Sequence, residues 1–337
     1  MLPIVHHGDK PYMFSTKILC ALVASTAALC SMPIAQAQSY PAKPIRLVVP
    51  FPPGGSTDVL GRLFAKSLGE ELKQTIIVEN KPGAGTVVGA DAVAKSPADG
   101  YTLLFSGAST YTVNPILYPK LPYDPDTALE SVGIIASTPL ILLANPNQIK
   151  AQTLKELAAE VKERGNVAYG SFGNGSTSNF VGEMINAALG TAILHVPYKG
   201  SAPAMTDLIG GQVPLTVDTV VAAAPQIKAG KVKAIAVSGA KRSQLLPDVP
   251  TAIESGFPTV EFSTWFAVTA PSGIPDEARN TLVAAIKQVM TEPALQDSFI
   301  ANGFEPEYGS PESYKLRVAD ESKRLSAIAQ RANIAIR

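Results

Sequence analysis

The chain has 337 residues, 46% of them hydrophobic and 17% charged, with 28 basic against 28 acidic side chains. That length is enough for two domains, and that composition describes a globular protein with ample core rather than a disordered one. Zero formal net charge leaves no electrostatic footprint for nucleic acid and no basic face for anionic lipid.

Residues 1–37 read as a leader rather than as fold. Met13-Phe14-Ser15-Thr16-Lys17 is a short basic n-region, Ile18 to Leu29 an apolar h-region, and Ala35-Gln36-Ala37 a small-residue cleavage site. The mature chain is expected to start near Gln38, and Met13 competes with Met1 as the true start. The h-region is too short for a stable bilayer anchor. Cys20 and Cys30 both lie in the leader, so the exported chain carries no disulfide and no thiol nucleophile. The bulky Leu29 before Cys30 departs from a lipidation signal. An exported, near-neutral, cysteine-free chain fits a bacterial periplasm.

The fold opens with a β-branched run, Ile45 to Val49, that stops at a Pro/Gly cluster after Phe51. Gly54, Gly55, Ser56, Thr57 and Asp58 follow, and then Val59, Leu60, Leu63, Phe64 and Leu68 recur at helical spacing. This predicts strand, tight loop and helix N-terminus. Glycines let the backbone approach a ligand. The unpaired N–H groups of a first helical turn, with the positive end of the helix dipole, form an anion site. Asp58 is expected to serve the helix N-terminus, because a carboxylate aimed at an anion would repel it, with the orienting of bridging waters as the alternative role.

A second strand, Thr75 to Glu79, ends at Asn80-Lys81-Pro82-Gly83-Ala84-Gly85 before a small-residue helix from Thr86 to Lys95. The spacing of Gly83, Gly85 and Gly89 is not that of a dinucleotide loop and reads as close helix–strand packing. A third strand, Tyr101 to Phe105, ends in hydroxyl-rich Ser106-Gly107-Ala108-Ser109-Thr110-Tyr111. Ligands of open α/β sheets sit at the carboxyl ends of strands, so this loop belongs to the same crevice. Beyond a proline-punctuated connection, strands are expected at Val132 to Ala136 and at Leu140 to Ala144. Thr153 caps the next helix and Glu156 completes a capping box.

The first junction has a counterpart. A strand ending at Ser171 meets Phe172-Gly173-Asn174-Gly175-Ser176-Thr177-Ser178, and a helical stretch runs from Asn179 to Leu189. Two such junctions predict two domains presenting donors to one ligand. Tyr198 and Lys199 follow the next strand. The strand Leu215 to Thr219 ends in polar Asp218 and Thr219, placing Asp218 either to accept from a ligand hydroxyl, amine or water or to hold the turn. Further on come strands at Ala234 to Ser238 and Phe262 to Ala270, and two amphipathic helices close the chain. The persistent β/α alternation with apolar strands predicts mostly parallel sheets covered by helices.

An exported hydrolase finds little support. There is no G-x-S-x-G, and His195 is the one histidine beyond the leader, in a setting that suits a core or strand-end residue. No His/Cys/carboxylate cluster points to a metal. A regulator's ligand-sensing module would need a helix-turn-helix where the leader stands.

Several ordered motifs carry a resemblance: Phe51-Pro52-Pro53-Gly54-Gly55-Ser56-Thr57-Asp58, Glu79-Asn80-Lys81-Pro82-Gly83-Ala84-Gly85, Asn114-Pro115-Ile116-Leu117-Tyr118, Val196-Pro197-Tyr198-Lys199-Gly200 and Leu246-Pro247-Asp248-Val249-Pro250-Thr251. The chain resembles the Bug family, periplasmic solute-binding receptors of tripartite tricarboxylate transporters, over essentially all of its mature length. The resemblance implies a type II periplasmic-binding fold, an α/β architecture of two lobes joined by two crossover strands. Lobe one would comprise residues 40–141 plus 264–337, and lobe two residues 142–263. It also implies a small carboxylate ligand, no cofactor, no enzymatic activity, a monomeric state and permease subunits in the membrane as partners.

The ligand would be held by N–H groups, hydroxyls and ordered waters rather than by arginine. Ser56, Thr57, Ser109, Ser176, Thr177 and Asp218 are the expected contacts, with Phe51, Tyr111, Phe172 and Tyr198 as walls. Around them stand Gly54, Gly55, Asp58, Ser106, Ala108, Ser171, Gly173, Asn174, Gly175, Lys199 and Thr219. Two positions depart from the family pattern. Asn179 stands where His is frequent, removing a titratable contact. Tyr111-Thr112 replaces the usual Thr-His-Ala, and Tyr111 is expected to line the pocket and favour a flat or aromatic acid.

Overall fold

Strand β1 (Ile45–Val49) is buried on both faces, with Leu47 and Val49 entering one hydrophobic core and Val48 another. That double burial is what an apolar strand run requires, and it places helices above and below the sheet. The computed structural model describes residues 39–332 and 334, with four isolated positions (1, 3, 4 and 8) ahead of them. The expected leader therefore lies almost wholly outside the described residues. Among the described residues no helix is long and apolar enough to cross a membrane.

Helix α1 (Ser56–Leu72) packs Leu60, Phe64 and Leu68 into the core, as its spacing dictates. Each such side chain contributes roughly 1.5–3 kcal/mol on burial. Strand β2 (Ile76–Asn80) and β3 (Thr102–Gly107) flank β1, both parallel to it. Helix α2 (Val87–Ala94) lies close to β1 because Gly89 has no side chain: a Cβ there would meet Pro50 Cβ at 2.6 Å. The close packing read from the glycines is observed. The segment after β3 differs from expectation. Ser109–Val113 is a π-helical turn that runs into the short α3 (Asn114–Leu117), so the hydroxyl-rich loop is helical.

The two strands expected around Pro139 are one, β4 (Leu129–Ala144), sixteen residues long. Its partners change at the proline. Residues up to Pro139 pair antiparallel with β9 (Ser263–Pro271), and those from Leu140 onward pair with β7 (Leu215–Thr219). Proline has no N–H to give to a ladder, so the switch point is where it costs least. Helix α4 (Leu154–Arg164) is capped as expected, Thr153 Oγ1 accepting from Glu156 N at 3.2 Å. Beyond it β5 (Ala168–Ser171) runs parallel to both β7 and β6 (Leu194–Pro197). Helix α5 (Thr177–Leu189) follows β5, α6 (Ser201–Ile209) follows β6, and α7 (Val220–Lys228) follows β7.

The strand order is β2-β1-β3-β9-β4-β7-β5-β6, with β8 (Lys233–Val237) and β10 (Glu305–Gly309) also pairing with β4. Two parallel triplets thus flank the long antiparallel pair β4 and β9. The fold is α/β with the expected parallel character at both ends, and the antiparallel centre is what carries the chain from one triplet to the other. Three helices close the chain where two were expected: α8 (Asp276–Val289), α9 (Pro293–Ala301) and α10 (Pro311–Ala332). The last packs Tyr314 and Val318 on the β1 side and Leu325, Ile328 and Ala329 into the core around β5 and β7.

Candidate functional site

The first junction holds its donors open. Gly54 takes φ +81°, a conformation glycine adopts without strain, and Gly55 leads into α1 in extended geometry. No side chain caps α1, and among the described residues the N–H groups of Ser56 and Thr57 find no acceptor. Asp58 is turned back into the protein. It accepts from Gly54 N at 2.8 Å, Arg62 Nε at 3.0 Å and Asn80 Nδ2 at 2.8 Å. Burial alone would raise its pKa, but the hydrogen bonds from Arg62, Gly54 and Asn80 outweigh it and hold the carboxyl below its usual range. Asn80 also donates to Phe51 O at 3.0 Å, so one polar cluster braces the whole loop.

The second junction is shaped by its own side chains. Ser176 caps α5, accepting from Asn179 N at 3.3 Å while donating to Gly173 O at 2.7 Å. Ser178 Oγ accepts from Phe172 N at 2.9 Å. Asn179 Oδ1 accepts from Gly175 N at 3.1 Å and its Nδ2 donates to Tyr169 Oη at 2.9 Å. The Asn179 amide is therefore committed to the loop's own framework. The N–H groups of Thr177 and Ser178 remain without acceptors among the described residues.

Both junctions face one cleft of ≈ 1840 Å³. Phe51, Gly54, Gly55, Ser56 and Thr57 line it from one side; Phe172, Asn174, Gly175, Ser176, Thr177 and Asn179 line it from the other. Ser109, Lys199 and Thr219 also border it. Thr264 and Phe266 of β9 form part of the floor.

Eight expected site residues lie outside this lining. Tyr111 is a correction: the residue is 7% exposed and its ring stacks on Trp265 at 5.6 Å, with Oη 3.3 Å from Ala267 O, so it is core and not wall. The π-helical turn points it inward, and an aromatic wall at this position is not available. Asp218 is fully buried, accepting from Ser201 Oγ at 2.7 Å and Thr219 N at 2.7 Å, and burial pushes its pKa up to about 6. Tyr198 donates to Asp207 Oδ2 at 2.9 Å instead of facing the cleft. Ser106 Oγ lies 2.5 Å from Thr110 Oγ1, and Ala108 is fully buried. Asp58, Ser171 and Gly173 support the loops from behind.

Other lining residues escaped the sequence reading. Gly85 and Thr86, at the carboxyl end of β2, border the cleft beside Asn114. Thr86 has φ +85°, strained for a β-branched residue, and is pinned by hydrogen bonds from Asn114 Nδ2 at 3.0 Å and Thr110 Oγ1 at 2.7 Å. The carboxyl-end rule applied to β2 as it was to β3 would have found them. Glu183, His195 and Lys231 also line the cleft. Glu183 accepts from Tyr169 Oη at 2.7 Å. Among the described residues no group of three His, Cys, Asp or Glu side chains is placed to hold a metal ion.

Two parallel half-sheets, joined by long crossing strands and separated by a cleft into which helix N-termini point, make the type II periplasmic-binding fold, the architecture of a solute receptor. The chain belongs to the tripartite tricarboxylate transporter receptor family, whose model matches residues 60–334. It is 39% identical to Protein BugT of Bordetella pertussis over 296 residues, 87% of this chain and 90% of BugT. Among solved structures it is similar to the periplasmic binding protein BugD, at 35% identity and TM-score 0.76, covering 88% of this chain and 99% of that one. R. palustris Rpa4515 with adipate matches at 34% identity and TM-score 0.80, over the same shares. MatC (Rpa3494) from Rhodopseudomonas palustris with bound malate matches at 31% and 0.75, over 86% of this chain and 99% of that one.

Proposed function

We propose that this protein is a periplasmic receptor that closes on a small dicarboxylate and delivers it to the permease subunits of a tripartite transporter. Lobe one comprises residues 40–141 plus 264–337 and lobe two residues 142–263. The protein works as a monomer, without a cofactor and without turning its ligand over. One observation carries this reading: the uncapped N–H groups of Ser56 and Thr57 open on the same cleft as Thr177 and Ser176. Facing helix N-termini favour negative charge at both ends of a ligand. Adipate in Rpa4515 and malate in MatC support a ligand with two carboxylates. The cleft exceeds the roughly 300–1,000 Å³ of an ordinary small-molecule pocket. A four- to six-carbon acid would fill it only after the lobes approach, which couples binding to closure.

The hydrolase reading is not favoured by the geometry. Ser171 and His195 are hydrogen-bonded, but Ser171 is fully buried, and Glu183, the carboxylate that lines the same cleft, is bound to Tyr169.

A thermal-unfolding screen of four- to six-carbon mono-, di- and tricarboxylates tests the proposal. A bound acid at ~100 times its dissociation constant adds about 2.7 kcal/mol of stability. Dicarboxylates are expected to raise the unfolding temperature most. A flat response to every acid would refute the reading, and turnover of any of them would return the enzyme to consideration.

A further inference from the structure

His195 is packed more deliberately than a strand-end histidine needs to be. Strands β5 and β6 are parallel with Tyr169 opposite His195, so the two rings are cross-strand neighbours, stacked at 5.1 Å. Tyr169 rests in turn on α5 at Gly182, where a Cβ would come within 2.2 Å of the ring. Ser171 follows Tyr169 by two positions and shares its face of the sheet. His195 Nε2 lies 2.6 Å from Ser171 Oγ. Ser171 Oγ accepts from Gly173 N at 3.0 Å and stands 3.1 Å from Gly173 O. His195 itself borders the cleft.

Burial lowers the His195 pKa to about 4, so the imidazole is neutral at neutral pH, and in the tautomer with its proton on Nδ1 the Nε2 atom accepts. Ser171 has one hydroxyl hydrogen and two acceptors within reach, Nε2 and Gly173 O. If the hydrogen goes to Nε2, Gly173 O is left to Ser176, whose hydroxyl donates to it at 2.7 Å and whose N–H donates at 3.2 Å. Ser176 then caps α5 and holds the first turn that faces the cleft. Without the imidazole, the Ser171 hydrogen turns to Gly173 O and competes with Ser176. The loop also contains Gly173 at φ +133° and Gly175 at φ +69°, so it has much conformational freedom to lose on ordering.

We propose that His195 is a positioning residue of the receptor: through Ser171 it fixes the Phe172–Thr177 loop in the shape that presents lobe two's donors to the ligand. Its ring orders the loop without touching the acid. The role rests on the cleft being the ligand site, but the order of the loop is measurable without any ligand.

The experiment compares His195→Ala, His195→Gln, Ser171→Ala, the double variant with alanine at both positions, and the unmodified protein. Amide hydrogen exchange is read first on the ligand-free proteins. The segment 172–178 is expected to exchange about tenfold faster in His195→Ala and Ser171→Ala, with the rest of lobe two unchanged. Glutamine reaches the position of Nε2 and offers an acceptor there, so His195→Gln is expected to stay near the unmodified rate. Adipate titration is read second. Affinity is expected to fall about tenfold in both alanine variants, to fall no further in the double variant, and to recover in His195→Gln. Unchanged exchange in His195→Ala overturns the proposal, as does a glutamine variant as fast as alanine. Adipate failing to bind the unmodified protein would count against the proposed ligand class alone, and the exchange data would still decide the role of His195.

Discussion

Ser56 separates two ways of holding an anion, because its hydroxyl and its N–H can be removed independently. It is the first residue of α1, and the preceding Gly55 is extended at φ −74°, ψ 165°. Proline is tolerated at a first helical position after an extended residue and takes away only the N–H. Ser56→Pro is expected to fold normally and bind its acid about tenfold more weakly, whereas Ser56→Ala keeps most of the affinity; calorimetric titration distinguishes them. Tyr111 makes the opposite case. Tyr111→Ala is expected to cost about 3–5 kcal/mol of stability in urea unfolding, as for other large core aromatics, and to leave the order of preference among acids unchanged. A half-buried and a buried titratable group act on stability with opposite sign. The His195 pKa is depressed from 6.5 to about 4, so its burial lowers stability as pH falls from about 6.5 towards 4. The Asp218 pKa is raised from 3.8 to about 6, so its contribution is full below 3.8 and is lost as pH rises through 6. His195→Gln is therefore expected to lose less melting temperature between pH 7 and pH 5 than the unmodified protein does.

Elements were legible where one rule decided them. The periodicity of α1, the capped start of α4 and the apolar runs of β1 and β3 follow from local pattern, and the structure has them. Strand β10, Glu305-Pro306-Glu307-Tyr308-Gly309, has no apolar signal; it exists because β4 offers it an edge. The π-helical turn at Ser109–Val113 was likewise hidden, since its residues read equally well as a loop. Glycine placement shows how elements dock. At Gly182 the ring of Tyr169 occupies the space a side chain would need. Gly182→Ala is expected to expel that ring, cost about 1–3 kcal/mol in urea unfolding and break the bonds that Tyr169 Oη accepts from Asn179 Nδ2 and donates to Glu183. A variant as stable as the unmodified protein would mean that the ring has somewhere else to go.

Across the molecule, β4 and β9 are the long strands through which the two halves of the sheet connect, and α10 reaches both cores. Trp265, the single tryptophan of the chain, sits in β9 between two cleft-lining residues, with Nε1 donating to Glu321 of α10 at 2.8 Å. Closure that bends the crossing strands is expected to change its fluorescence. The same event is expected to reduce the radius of gyration in small-angle scattering when adipate is added. A fluorescence change without compaction would describe a local rearrangement rather than lobe closure.

By itself the sequence determined which segments alternate as strand and helix, where glycine-rich helix N-termini stand and to which family the motifs point, because spacing and turn chemistry are local. Only the tertiary structure decided which hydroxyls face the cleft. Ser56 and Ser176 border it, while Ser106, Tyr111 and Asp218 are turned into the protein, although all five stand at or a few residues beyond the carboxyl ends of strands. The direction of a side chain there depends on what the neighbouring elements leave unfilled, and that is set by packing across the sheet rather than by order along the chain.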